Sequence, residues 1–174
     1  VSRPSPCAPA SEAASWLIPS GVILGRDLSH IEPVDLRDPA QVQEFVAHSY
    51  YDYAGGKAQG LHPHAGETRF NYTGPKPPYE QLEVEGGYSW MKSPRWRGKV
   101  VEVGPLARLA MLYAKGHEQT KAIADQVLRT LDLPLQAIFS TMGRTAARTI
   151  ESKVLADQMM GWLDQLIANI KAGD

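Results

Sequence analysis

The chain has 174 residues, with 18 Lys and Arg against 19 Asp and Glu, a net charge of −1. This balance excludes the broad basic field of a nucleic-acid binder, and the single cysteine, Cys7, excludes an internal disulfide framework or a Cys-rich zinc site. The length suits one domain burying about two-thirds of its unfolded surface, and no apolar run approaches the roughly 20 residues needed to cross a bilayer.

Val1 to Ser15 is rich in Pro, Ser and Ala, and reads as an extended arm. No His or Lys stands beside Cys7 to lower its pKa, so it reads as a small inert hydrophobe rather than a reactive thiol. Val22, Ile23 and Leu24 predict a strand, continued by Leu28 to Ile31 after a turn at Arg26-Asp27. His30, among apolar neighbours, reads as a structural histidine. Asp38-Pro39 resembles a helix opening, an N-cap acid followed by Pro at the first position. Val42, Phe45, Val46 and Ser49 then follow helical spacing. The spacing predicts a helix carrying His48 and Tyr50-Tyr51 to its end, closed by Gly55-Gly56. Aromatic residues with polar tips at such an end suit either an interface or a hydrogen-bonded core.

Gly55 to Tyr79 is a long irregular stretch, and loops of that length are usually functional or covered. His62, His64 and Glu67 offer metal-ligand chemistry. Pro63 restricts the directions of the two rings, however, and a loop held by His hydrogen bonds is the plainer reading. Pro75 to Pro78 suits a polyproline path, and Tyr79 to Val84 a short strand or turn. The segment from Tyr88 to Arg108 concentrates Trp90, Arg95, Trp96 and Arg97 between turns at Pro94 and Gly98. A guanidinium there can pair with a carboxylate such as Glu83, Glu85 or Glu102, stack on an aromatic face, or meet a partner. Lys99 to Val103 predicts a strand, and Gly104-Pro105 the start of a helix.

Beyond Pro105 the pattern is helical. Leu106, Leu109, Ala110 and Tyr113 mark one helix, ended by Gly116. A second runs from about His117 to Leu131. A third spans Leu135 to Ile170, uninterrupted by proline and capped by Gly173. Gly143 and Gly161 each cost it about 1 kcal/mol relative to Ala and mark close helix approach or bends. Arg144, Arg148 and Glu151 read as a salt-bridged exposed face, or as cations aimed at a partner or a buried carboxylate. Met159, Met160 and Trp162 read by default as core, with a docking surface as the alternative. A helix of that length needs neighbours along its apolar stripe. The elements together predict an α+β, mainly α fold: a long-helix bundle with an N-terminal half of short strands and irregular loops. Residues 1–15 form the arm, 16–103 the strands, loops and one helix, and 104–174 the bundle segment, all parts of one larger domain.

Five stretches carry a resemblance. They are Pro6-Cys-Ala-Pro-Ala-Ser-Glu, Phe45-Val-Ala-His-Ser-Tyr-Tyr, Tyr88-Ser-Trp-Met-Lys-Ser-Pro-Arg-Trp-Arg-Gly, Glu102-Val-Gly-Pro-Leu-Ala-Arg and Gly143-Arg-Thr-Ala-Ala-Arg. In this order they resemble the interior of the large subunit of nickel–iron hydrogenases, of the membrane-associated uptake type, over essentially the whole chain. The resemblance implies a catalytic subunit that oxidises H2 to protons and electrons and pairs with an iron–sulfur small subunit. It implies no nucleic acid, and membrane contact only through other subunits. It also implies export directed by the partner, so a periplasmic site, with the cytoplasm as the alternative. The family holds its nickel–iron centre with two Cys-x-x-Cys pairs. Neither is present here, so the ligands are expected outside this stretch and none of its residues is assigned to catalysis, cofactor or metal. Val1 is not a Met and the apolar pattern runs almost to Asp174, so a longer parent chain is expected. Tyr50, Trp90, Arg95, Trp96 and Arg97 become candidates for contact with the partner subunit or for support around the metal centre. Two other readings stand beside this one: a metal-free scaffold or binding module derived from the family, and a small metal-dependent hydrolase built on His48, His62 and His64.

Overall fold

The computed structural model describes residues 19–76, 80–81 and 85–173. The expected arm and Cys7 lie outside the described residues, as does most of the stretch from Pro75 to Val84. The fold is mixed α+β. Among the described residues, seven short strands, three α-helices and a five-residue 3₁₀ turn divide between two units, one of residues 1–33 and 102–174, the other of residues 34–101.

In the first unit, β1 (Val22–Ile23) and β2 (Ile31–Glu32) form an antiparallel hairpin. Gly21 precedes it at φ 141°, where a Cβ would lie 2.9 Å from the Met111 methyl, so only glycine lets the chain pass there. Helix α1 (Pro105–Ala114) begins as expected, with Pro in its first turn, where a missing N–H goes unnoticed. Helix α2 (Glu118–Thr130) is capped by His117, whose ring Nδ1 accepts from the Thr120 amide.

The predicted third helix divides in two. Leu135–Phe139 is a 3₁₀ turn, and α3 (Thr141–Ala172) starts afresh at Ser140. The Ser140 hydroxyl accepts from the Gly143 amide at 3.0 Å and donates to the Ala137 carbonyl at 2.7 Å, serving both elements at once. Gly173 closes α3 in the left-handed conformation. Leu106 and Leu109 of α1, Ala124 of α2, Ile138 of the turn, and Ala147, Ile150 and Val154 of α3 form one apolar core.

That core uses only the first half of α3. Met159, Met160 and Trp162, expected in the core, are 62%, 66% and 42% exposed, and Leu163, Leu166, Ile167 and Ile170 are exposed with them. The apolar stripe read from the sequence is real, but nothing among the described residues covers its far end. The arginines also depart from expectation. Arg144 reaches Glu102 through two bonds of 2.6 and 2.7 Å, and Glu151 accepts a forked pair from Arg108 at 2.5 and 2.9 Å. These two ion pairs tie α3 to other segments, while Lys153 and Asp157 pair along the helix's own face.

The second unit contains no helix among the described residues, which corrects the helix expected after Asp38. Asp38 caps a turn instead, accepting from the Ala40 amide. Val42–Phe45 is then strand β3, the centre of an antiparallel three-stranded sheet with β5 (Gly60–Leu61) and β7 (Ser93–Trp96). β-Branched and aromatic residues suit a pleated surface, and two pairing partners outweigh a local capping signal. The strand expected at Lys99 to Val103 is also displaced, to β7, and Lys99 keeps only a bridge to Trp96. Pro94 is tolerated in β7 because that strand is an edge, where a missing N–H breaks no ladder. The β7 strand turns back through Arg97 (φ 46°) and Gly98 (φ 72°), two consecutive left-handed residues closing a tight hairpin. Strands β4 (Tyr51–Tyr53) and β6 (Thr68–Phe70) form a separate antiparallel pair.

Candidate functional site

Two groups of side chains on the second unit stand out. The first is an aromatic cluster built around Tyr50. The Tyr50 amide donates to the Ser89 carbonyl at 2.8 Å, and its carbonyl accepts from the Asn71 amide at 2.8 Å. The backbone at Tyr50 is therefore clamped between two other segments. Its buried ring lies 4.8 Å from Trp90, edge-on, and 4.8 Å from Tyr72. Gly74 and Gly87 allow this, since a Cβ at Gly74 would sit 2.5 Å from the Tyr50 hydroxyl. Above Tyr50 the indole of Trp90 stacks on both Tyr72, at 5.4 Å and 12°, and Phe70, at 5.5 Å and 19°. Phe70, Tyr72, Trp90 and Met91 are exposed. The result is a rigid aromatic ledge with a buried anchor.

The structure thus brings Tyr50 and Trp90 together, as the sequence grouped them, and adds Phe70 and Tyr72. The signal for the added pair is the alternation Thr68-Arg-Phe-Asn-Tyr72, which places Phe70 and Tyr72 on one side of an extended segment.

The second group surrounds β7. Trp96 is buried at 6% exposure, and its indole N–H has no acceptor among the described residues. The Arg97 guanidinium lies 4.6 Å above the Trp96 ring, so this cation does stack on its aromatic neighbour. Its amide donates to the Gln41 carbonyl. Asp38, with amides and the Gln41 side chain donating to it and Arg97 nearby, is held below the ordinary carboxylate range. Arg95 projects from the other face of β7, opposite Gln43, and among the described residues donates only to the carbonyl of its neighbour Pro94 at 3.0 Å. The sheet's cation–carboxylate pair is Lys92 with Glu44 at 3.0 Å, while Glu102 pairs with Arg144 and Glu83 lies outside the described residues. Burial pushes the neighbouring Tyr53 phenol above its usual range, and its hydroxyl donates to the Glu44 carbonyl.

The histidines divide. His62 is buried, with Nε2 2.8 Å from the Leu36 carbonyl and Nδ1 accepting from the His64 amide. With both ring nitrogens engaged by backbone, His62 has no lone pair to offer a metal. The ring of His48 stacks on Tyr88 at 5.2 Å, and its Nδ1 lies 3.2 Å from the Gly86 carbonyl. Among the described residues no three His, Cys, Asp or Glu side chains converge on a point that a metal ion would occupy. The described residues do not fit a nickel–iron centre. Among the described residues, also, no helix is long and apolar enough to cross a membrane.

The described residues thus form an α+β scaffold that presents aromatic and cationic side chains. The profile of the nickel-dependent hydrogenase family matches residues 4–174, and the chain belongs to that family. It is 48% identical over 168 residues to the uptake hydrogenase large subunit of Bradyrhizobium diazoefficiens, covering 93% of this chain and 28% of that protein. It is 41% identical to the hydrogenase-1 large chain of Escherichia coli K12, covering 92% and 28%. Among solved structures, the reduced nickel–iron–selenium hydrogenase of Desulfomicrobium baculatum matches with a TM-score of 0.58 and 31% identity, over 86% of this chain and 28% of that one. The chain therefore spans between a quarter and a third of the length of these relatives.

Proposed function

We propose that this chain is part of the large, catalytic subunit of an uptake-type nickel–iron hydrogenase, which oxidises H2 to protons and electrons. The observation that carries the reading is the uninterrupted match, from residue 4 to residue 174, to large subunits of that family. A metal-free module derived from the family is not favoured, because the relatives it matches are hydrogenase large subunits. The nickel–iron ligands come from outside this stretch. The second unit supplies surface for an iron–sulfur small subunit. Trp90 and Tyr50 form its aromatic centre, Arg95 and Arg97 supply charge, and Trp96 forms the floor beneath Arg97. Aromatic and Arg side chains are the types that dominate binding at such surfaces. The exposed apolar half of α3 packs into a longer helical bundle completed by the rest of the subunit, and both units belong to that one larger domain. Membrane association runs through partner subunits, on the periplasmic side.

The test is nickel and iron content, with intact mass, on the polypeptide isolated from its native source. About one nickel and one iron on a chain much heavier than 19.1 kDa supports the reading. A chain of 19.1 kDa without either metal refutes it.

A further inference from the structure

One feature of the second unit is used by neither the aromatic ledge nor the Trp96–Arg97 stack. An open concavity of about 290 Å3 lies at the end of the three-stranded sheet, lined by Phe45, Ala47, His48, Ser93, Arg95 and Gly98. Strand register explains its composition. Phe45 faces Ser93 across the β3–β7 pair, and Gln43 faces Arg95, so these four side chains rise on one face of the sheet. The Phe45 ring leans over Gly60, where any Cβ would collide with it, and this draws the ring aside. Gly98 keeps the wall low where the hairpin turns.

The electrostatics are one-sided. Arg95 is half-buried, yet its guanidinium donates only to the Pro94 carbonyl and meets no carboxylate among the described residues. The other near-sheet cation, Lys92, already holds Glu44 on the opposite face. His48 adds a ring whose Nδ1 is engaged by the Gly86 carbonyl, leaving Nε2 as the nitrogen with no assigned partner. The Ser93 hydroxyl adds a neutral donor. Among the described residues, no Asp or Glu lines the concavity. A guanidinium left with one neutral acceptor retains most of its fork for a planar anion, and the Phe45 and Ala47 side chains suit the apolar stem behind it.

We propose that this concavity is a carboxylate subsite, filled by an acidic side chain of the partner subunit, with Arg95 as its principal cation and Ser93 as a flanking donor. The occupant rests on the reading of the second unit as partner surface; the anion preference of the concavity does not.

Two measurements separate those parts. In the first, the full chain is titrated with propionate at constant ionic strength, read at the Arg95 Nε–H and His48 ring resonances. A saturable shift in the wild type, weakened about tenfold or more in Arg95→Gln and partly kept in Arg95→Lys, supports the subsite. Shifts that do not saturate, or that Arg95→Gln leaves alone, overturn it. Should Arg95→Gln fail to fold, Ala47→Glu serves instead. It places a carboxylate beside Arg95 from an exposed position and must abolish propionate binding. Retained binding overturns the subsite. In the second, the intact subunit is bound to its iron–sulfur partner. An Arg95→Gln dissociation constant raised about tenfold or more, with propionate weakening the wild-type complex, supports the named occupant. A complex that forms and ignores both changes overturns that occupant. Failure of any complex to form counts against the function proposed above, while the propionate titration still decides the subsite.

Discussion

Replacing Gly143 by Ala sets two physical effects against each other. Helix propensity alone predicts a gain of about 1 kcal/mol, since Gly143 lies within the first turn of α3. The structure predicts the opposite. A Cβ at that position collides with the Ile138 carbonyl and would sit 2.6 Å from the Ala137 carbonyl oxygen. These are backbone atoms of the 3₁₀ turn, so they cannot swing aside as a side chain would. Relieving the collision moves the turn away from α3, which overpacking data place at about 1–3 kcal/mol. It also pulls apart the Ser140 bonds to Gly143 and Ala137, a cap worth about 1 kcal/mol. After subtracting the propensity gain, the net loss is about 1–3 kcal/mol, or a fall in Tm of about 2–12 °C for a chain of this size. Gly161→Ala is the control. It makes the same chemical change in the same helix, but nothing lies within 4 Å of the added carbon, so it gains about 1 kcal/mol. Urea unfolding followed by circular dichroism reads both. A Gly143→Ala protein as stable as the wild type would refute the close contact between the turn and α3.

Arg108→Ala removes a forked ion pair whose side chains are 34% and 24% exposed, and costs about 1–2 kcal/mol in urea unfolding. A double-mutant cycle with Glu151→Gln returns a coupling of the same sign, and zero coupling would contradict the pairing. Glu102 is held below its ordinary value of 4.5 by bonds from Arg144. Its stabilising contribution is therefore complete above the unfolded-state pKa and lost as pH falls through the lower folded one. With both partners more than 40% exposed, it amounts to less than about 1 kcal/mol. Carboxyl NMR on Arg144→Ala should show the Glu102 titration move up to the ordinary glutamate range. In the aromatic cluster, Tyr50→Ala empties a buried position and costs about 3–5 kcal/mol. Trp90→Ala, at a half-exposed position, costs much less stability but weakens small-subunit binding by about thirtyfold or more, a loss of at least ~2 kcal/mol in a binding titration. Equal losses of stability for the two variants would place Trp90 in the core instead of on the surface.

The helices were legible because their signals are local. Pro105 fits the first turn of α1, and the three- and four-residue spacing of Leu106, Leu109 and Ala110 selects the residues that are buried. Gly173 closes α3 where the glycine pattern places it. The break at Ser140 was missed because Leu135, Ile138 and Phe139 continue helical spacing through a 3₁₀ turn; the serine followed by Gly143 was the available cue. The second unit was misread for a different reason. Val42, Phe45 and Val46 fit a helix, but β3 is stabilised by partners 15 or more residues away at Gly60 and some fifty away at Ser93. No local period reports such a pairing. Within the candidate surface, Trp90 and Tyr50 were legible by residue type. Their contact was not, because it depends on the 71 and 89 segments closing on the backbone of Tyr50. The concavity was illegible for the same cause: it exists only once strand register sets Phe45 beside Ser93.

Helix α3 is 32 residues long, about 48 Å at 1.5 Å per residue. It is fastened only along its first part, the last side-chain bonds to α2 being those of Asp157 and Gln158 with Gln119. The remaining 14 residues, about 21 Å, form a lever arm. A tilt of about 5° at the fastened part swings the tip by about 2 Å, the scale of helix shifts that repack interfaces. Whatever encloses Met159 to Ile170 therefore has a mechanical hold on how α1, α2 and the base of α3 cross, and small rearrangements at either end are transmitted to the other through one stiff rod.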